Sequence, residues 1–144
     1  MQTIEQVQEE IIEEFSMFDD WMDKYALIIE HGNSLEKLDE VYKTPENIIE
    51  GCQSRVWLQT DYKDGKLYFR AESDAVIVKG LLALVLKVFS GRTPDEINAA
   101  KLHFLEDIGL TEHLSPTRSN GLLAVIKQIR FYAIAYKAKE EQGQ

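Results

Sequence analysis

The run from Val76 to Phe89 limits most severely what this chain can fold into. It is apolar nearly all round, and Lys79, Ala83 and Lys87 form its one thin polar stripe. A helix with an apolar circumference needs neighbours on almost every side, so it belongs at the centre of a globular core. It is too short and too interrupted to span a bilayer, which takes about 20 consecutive apolar residues. The rest of the chain must pack around it.

Upstream, Val56 to Tyr62 and Lys66 to Ala71 read as the arms of a β-hairpin across Asp64-Gly65, a strong two-residue turn signal. Alternation puts Val56, Leu58, Thr60 and Tyr62 on one face, with Leu67, Phe69 and Ala71 beside them. Trp57 and Tyr68 fall on the opposite side. Pro45 imposes an extended entry, and Asn47-Ile48-Ile49 reads as a short edge strand.

Helices account for the remainder. Thr3 and Gln6 form a capping box, and Ile4, Val7, Ile11, Ile12 and Phe15 then repeat at helical spacing. A second helix is expected from about Ser16, with Asp19 and Asp20 in its first turn and Gly32 as its stop. Its inner stripe is Phe18, Trp21, Met22, Tyr25, Ile28 and Ile29; His31 suits the dipole at its end. Leu35, Leu38 and Val41 predict one short helical turn between Ser34 and Lys43. Asp74 reads as the cap of the central helix. Thr93-Pro94-Asp95-Glu96 starts another helix, and Leu102 to Leu110 supplies a further buried segment ended by Gly109. Ser115-Pro116 opens the last helix, which runs to about Ala138 with Leu122, Val125, Ile126, Ile129 and Ala133 inward. The expected architecture is α+β: a small antiparallel sheet of two to three strands with helices packed on one face, in a single domain over residues 1–144.

Charge narrows the classes of partner. The net charge of −9 sets the chain against nucleic acid, whose phosphates repel it. Residues 1–50 carry 14 acids and 3 bases, hence −11, and residues 51–144 carry 11 acids and 13 bases, hence +2. That asymmetry suits a steered protein encounter, although for most of these acids a solvated helix face is the simpler account. One cysteine excludes an internal disulfide and any multi-cysteine metal site. It points to a reducing, cytoplasmic setting, and the glutamate-rich start lacks the basic and apolar regions of a signal peptide.

That cysteine lies in Glu50-Gly51-Cys52-Gln53-Ser54-Arg55-Val56-Trp57. An unpaired cysteine is most often a small inert hydrophobe within an apolar run. Here it follows Glu-Gly and precedes Gln-Ser-Arg, which reads as a loop tip. Gly51 gives the tip conformational freedom, Gln53 and Ser54 offer hydrogen bonds, and Arg55 favours a thiolate while Glu50 opposes it.

Gly51-Cys52-Gln53-Ser54 with Val56-Trp57 resembles the signature of the SufE family, sulfur-acceptor proteins that partner cysteine desulfurases in iron–sulfur cluster assembly. Two further blocks match in order and spacing, Ser73-Asp74-Ala75 with Lys79-Gly80-Leu81, and Leu114-Ser115-Pro116-Thr117-Arg118 with Asn120-Gly121-Leu122. Trp21, Tyr25 and Gly32 also fit. Lys24 stands where an arginine is usual, and the proline expected near Leu35–Leu38 is absent.

The resemblance implies a fold shared with IscU-type scaffolds, Cys52 as persulfide carrier, and no cofactor or metal of the chain's own. Its implied partners are a SufS-type pyridoxal-phosphate-dependent cysteine desulfurase and a downstream iron–sulfur scaffold complex, not nucleic acid or membrane. Gly51, Gln53, Ser54, Arg55, Trp57, Asp74, Lys79, Arg118 and Asn120 are the expected loop and partner-binding residues. The chain is then an accessory of sulfur transfer rather than a stand-alone enzyme. A single cysteine suits a carrier, because a second would expel the cargo as sulfide by closing a disulfide. Two other readings stand beside it: a cysteine hydrolase with His31, His103 or His113 as base, and a binding module with an inert cysteine.

Overall fold

A computed structural model describes residues 2–50 and 54–143. The central segment is helix α3, Val76–Phe89, and Gly80, Leu81, Leu82, Leu84, Val85, Leu86, Val88 and Phe89 are all buried along it. Before it come α1, Ile4–Ser16, and α2, Trp21–Asn33. The strands are β1, Val56–Lys63, and β2, Lys66–Ser73. After α3 follow α4, Pro94–Ala99, the short α5, Phe104–Asp107, and α6, Leu110–His113, and then the long α7, Pro116–Gln142.

The hairpin forms with the expected faces. Val56 pairs with Ser73, Leu58 with Ala71, Thr60 with Phe69 and Tyr62 with Leu67, so the apolar set turns together toward the helices. Asp64 and Gly65 both have positive φ, 53° and 79°, the geometry that matches the right-handed strand twist. The predicted edge strand reduces to one bridge between Ile48 and Trp57, because Pro45–Asn47 coils into a 3-10 turn immediately before it. The helical turn expected between Ser34 and Lys43 is confined to a 3-10 turn at Glu40–Tyr42.

Four other expectations are corrected. Ser16 closes α1 rather than opening α2, and Asp20 is the N-cap of α2, its carboxylate accepting the Met22 N–H at 2.9 Å. Gly32 does not stop α2, which runs through Asn33; it serves close packing instead. A Cβ on Gly32 would lie 2.9 Å from the Gly80 nitrogen, and one on Gly80 would lie 2.1 Å from the Ile28 carbonyl oxygen. Two glycines thus let α2 and α3 touch backbone to backbone. Asp74 does not cap α3, whose N-cap position is Ala75 with no side-chain cap. The last helix runs past Ala138 to Gln142.

Helices α3 and α7 cover the inner face of the sheet, α1 and α2 pack on α3, and α4 packs on α7. One continuous apolar cluster runs from Ile4 to Ala133. Gln8, fully buried on α1, ties the segment before α5 into it: its side chain accepts the N–H groups of His103 and Phe104 and donates to the Lys101 carbonyl. No helix among the described residues is long and apolar enough to cross a membrane.

Candidate functional site

Segment 51–53, which contains Gly51, Cys52 and Gln53, lies outside the described residues. On its exit side, half-buried Ser54 lines a cleft of about 390 Å³ between the start of β1, the first half of α3 and the start of α7. Helical spacing assembles its walls. Ala75, Val78 and Leu82 stand on one face of α3, and Arg118, Leu122 and Val125 on one face of α7. Val56 and Leu81 form the floor, and Ser115 and Thr117 give it a polar lip. Ser115 is also the N-cap of α7, its hydroxyl accepting the Arg118 N–H at 3.3 Å. The Arg118 guanidinium makes no ion pair among the described residues.

A second relationship fixes where the segment ends. The Asp74 carboxylate accepts the Arg55 N–H at 3.1 Å, and the Arg55 carbonyl accepts the Asp74 N–H at 3.4 Å. Ser73 takes over locally at the turn, its hydroxyl accepting the Ala75 N–H at 3.2 Å. Asp74 is therefore a clip on the strand start, not a helix cap.

On its entry side, Ile49 is buried and its N–H bonds to the Val56 carbonyl at 2.9 Å. Residues 49 and 56 are thus pinned to each other. Trp57, on the outer face of the hairpin, lies under Lys43, whose Nζ is 5.7 Å from its ring centroid. Lys43 also pairs with Glu72 and Glu40. The Glu72 hydrogen bond, then that of Glu40, raises the Lys43 pKa, and the same Lys43 contact holds the Glu72 carboxyl below its ordinary value. Lys79 adds a weaker electrostatic pull on Glu72. Trp57 and Lys79 thus stand beside the Lys43–Glu72 ion pair, and neither lines the cleft.

Of the residues nominated from sequence, Ser54 and Arg118 meet in the cleft, and Arg55 and Asp74 meet in the clip. Asn120 is exposed on α7. The apolar wall of the cleft was not nominated, although its three- and four-residue spacing on two helices is the signal that marks it.

The histidines have other employment. His31 Nε2 is 2.6 Å from Glu14 Oε1, with its ring stacked on Phe15. His103 bonds Glu5 and Asp107. His113 stacks on Trp21 at 3.7 Å, and its carbonyl accepts the Tyr25 hydroxyl. None of them lines the cleft that Ser54 enters.

Residues 9–133 match the family described as SufE, Fe-S metabolism associated domain. The chain belongs to the SufE family. That membership places it in iron–sulfur metabolism. It is 45% identical over 127 residues to an uncharacterized SufE-like protein of Rhizobium meliloti, covering 85% of this chain and 91% of that one. It is 44% identical over 127 residues to an uncharacterized SufE-like protein of Rhizobium etli, covering 85% and 86%. Its fold is that of a hypothetical protein from Thermus thermophilus known from a solution structure: TM-score 0.73 at 18% identity, over 90% of this chain and 94% of the other. The three sequence blocks of this SufE protein converge in space. Ser54 and Val56 from the first, Ala75 and Leu81 from the second, and Ser115, Thr117, Arg118 and Leu122 from the third all line one cleft.

Proposed function

We propose that this chain accepts sulfane sulfur from a cysteine desulfurase as a persulfide on Cys52 and relays it to iron–sulfur cluster assembly in the cytoplasm. The Cys52 thiolate attacks the terminal sulfur of the donor persulfide. A new S–S bond forms at Cys52, the donor's S–S bond breaks, and the donor cysteine leaves as a thiolate. Nothing is oxidised or reduced overall. The second transfer, to a scaffold complex, repeats the step with Cys52 as the leaving thiolate.

The observation that carries this reading is the cleft beside Ser54. Two residues of extended chain span about 7 Å, so covalent geometry keeps Cys52 within reach of it. Apolar walls disfavour a thiolate and keep water away, which suits storage of a persulfide. The Arg118 guanidinium at the same cleft, which makes no ion pair among the described residues, favours the anion when transfer requires it. Gly51 is suited to be the hinge between a sheltered and an extended tip.

The test is intact mass after incubation with a SufS-type desulfurase and L-cysteine. The wild-type chain should gain one or more sulfur masses that reductant removes, and desulfurase turnover should rise. Cys52→Ser should do neither. An unchanged mass while the desulfurase turns over, or equal stimulation by Cys52→Ser, would end the carrier reading.

A further inference from the structure

Away from the cleft, the start of α1 and the segment before α5 bring an imidazole and two carboxylates to one point. Glu5 and Glu9 stand four residues apart on α1, so their side chains share one helical face. His103 faces them from the residue that precedes α5. A carboxylate oxygen of Glu5, one of Glu9 and an imidazole nitrogen of His103 all lie within 4.8 Å of one another. The sulfur transfer proposed above uses none of the three, and resemblance to the SufE family implies no metal here.

The imidazole separates this group from an ordinary acidic helix face. His103 Nε2 is 2.7 Å from Glu5 Oε1, and Nδ1 is 2.5 Å from Asp107 Oδ2. In the tautomer whose Nδ1–H donates to Asp107, the Nε2 lone pair is directed at the glutamates. A carboxylate behind the imidazole is the arrangement that orients a metal-ligating histidine and raises its basicity. The backbone is fixed as well. Gln8, fully buried on α1 between Glu5 and Glu9 in sequence, accepts the His103 and Phe104 N–H groups at 2.8 and 3.1 Å. The distance from α1 to residue 103 is therefore set from the core and does not depend on the surface side chains. The charge is also unbalanced: Glu5, Glu9 and Asp107 all face one imidazole, and no lysine or arginine pairs with any of them among the described residues.

One nitrogen and two oxygens suit a divalent first-row transition ion. Mg2+ and Ca2+ prefer oxygen ligands alone, and a soft ion such as Cu(I) prefers sulfur. Zn2+ takes imidazole nitrogen and carboxylate oxygen at about 2.0–2.2 Å, and three protein ligands leave its fourth position to water. We propose that Glu5, Glu9 and His103 form a binding site for such an ion, best fitted by Zn2+, with Asp107 as the positioning residue behind His103. The bound ion clamps the N-terminal helix to the segment before α5, so its presence is read as stability.

Glu9→Gln is the deciding variant. The Glu9 side chain is exposed and makes no hydrogen bond or ion pair among the described residues, so the metal-free fold does not depend on it. Thermal unfolding is followed in EDTA and in about 100 µM ZnCl2, with MgCl2 at the same concentration as the control. Zinc should raise the wild-type Tm by about 5 °C, and magnesium should not. Glu9→Gln should match wild type in EDTA and lose the zinc gain; His103→Gln should lose the gain too. In long-range 1H–15N spectra, zinc should shift the Nε2 resonance of His103. No zinc gain in the wild type, a gain that Glu9→Gln retains, or a spectrum in which His103 stays in place would overturn the site. In the last two cases the ion is held elsewhere on the chain.

Discussion

Asp74 and Arg55 exchange backbone contacts across the start of the hairpin: the Asp74 carboxylate takes the Arg55 N–H, and the Arg55 carbonyl takes the Asp74 N–H. The clip anchors the chain one residue beyond Ser54, where the cleft begins. A carboxylate accepting a backbone N–H at an exposed site contributes about 1 kcal/mol. Asp74→Ala should therefore lower Tm by about 4 °C. It should also speed Cys52 alkylation, since the exit of the segment is no longer held. Asp74→Asn keeps an acceptor and should stay close to wild type in both measurements. Equal behaviour of the alanine and asparagine variants would show that the clip has no role.

The α2–α3 contact predicts a sharp asymmetry among glycines. A methyl at residue 80 would overlap the Ile28 carbonyl at 2.1 Å and the Ile28 side chain at 2.5 Å, and α2 cannot withdraw without opening the core. Gly80→Ala should cost about 3 kcal/mol or more. Gly65 has positive φ but open space around it, so Gly65→Ala should cost only about 1 kcal/mol of backbone strain. Urea denaturation of the two variants checks the order.

Much of this fold was legible because local chemistry and tertiary packing agree. The all-round apolar run became the central helix, Asp64-Gly65 made the hairpin, and the boxes at Thr3 and Thr93 cap as written. The misses share one cause: the deciding partner is distant in sequence. Gly32 resembles a helix stop until Gly80 is placed against it. Asp74 resembles a cap until the strand start offers the Arg55 N–H. Gln8 sits in a glutamate-rich helix and reveals nothing until residues 101–104 close on it. The cleft needed three segments, of which the sequence displayed the polar members more plainly than the walls.

His103 gives a pH dependence of known sign. Asp107 first, and Glu5 next, hold its pKa above the ordinary 6.5, against a smaller opposing effect of burial. Glu9 also faces the same imidazole. A group whose folded pKa is raised contributes stability that is complete below its unfolded pKa and is lost as pH rises through the folded value. The Tm difference between wild type and His103→Gln should thus be largest near pH 6 and shrink above pH 7. Because the pair is partly exposed, the whole effect should be no more than about 1 kcal/mol. A difference that grows between pH 6 and pH 9 would contradict the ion-pair geometry.

The cleft itself makes the most direct prediction about the cysteine. Its walls are Val56, Val78, Leu81, Leu122 and Val125, and Ser54 opens into it two residues after Cys52. If the thiol rests there, desolvation raises its pKa and the walls exclude reagent, so iodoacetamide should modify it about tenfold more slowly than a peptide thiol. Val78 is only half-buried and lines the cleft, so it can be enlarged with little disturbance to the core. Val78→Phe should fill the space, displace the thiol and bring its alkylation close to the peptide rate, with Tm nearly unchanged. Adding a desulfurase that lacks its own active cysteine should accelerate alkylation of the wild type and leave Val78→Phe where it was. A wild-type thiol that reacts as fast as the peptide, or a Val78→Phe variant that reacts as slowly as wild type, would show that Cys52 does not rest in this cleft.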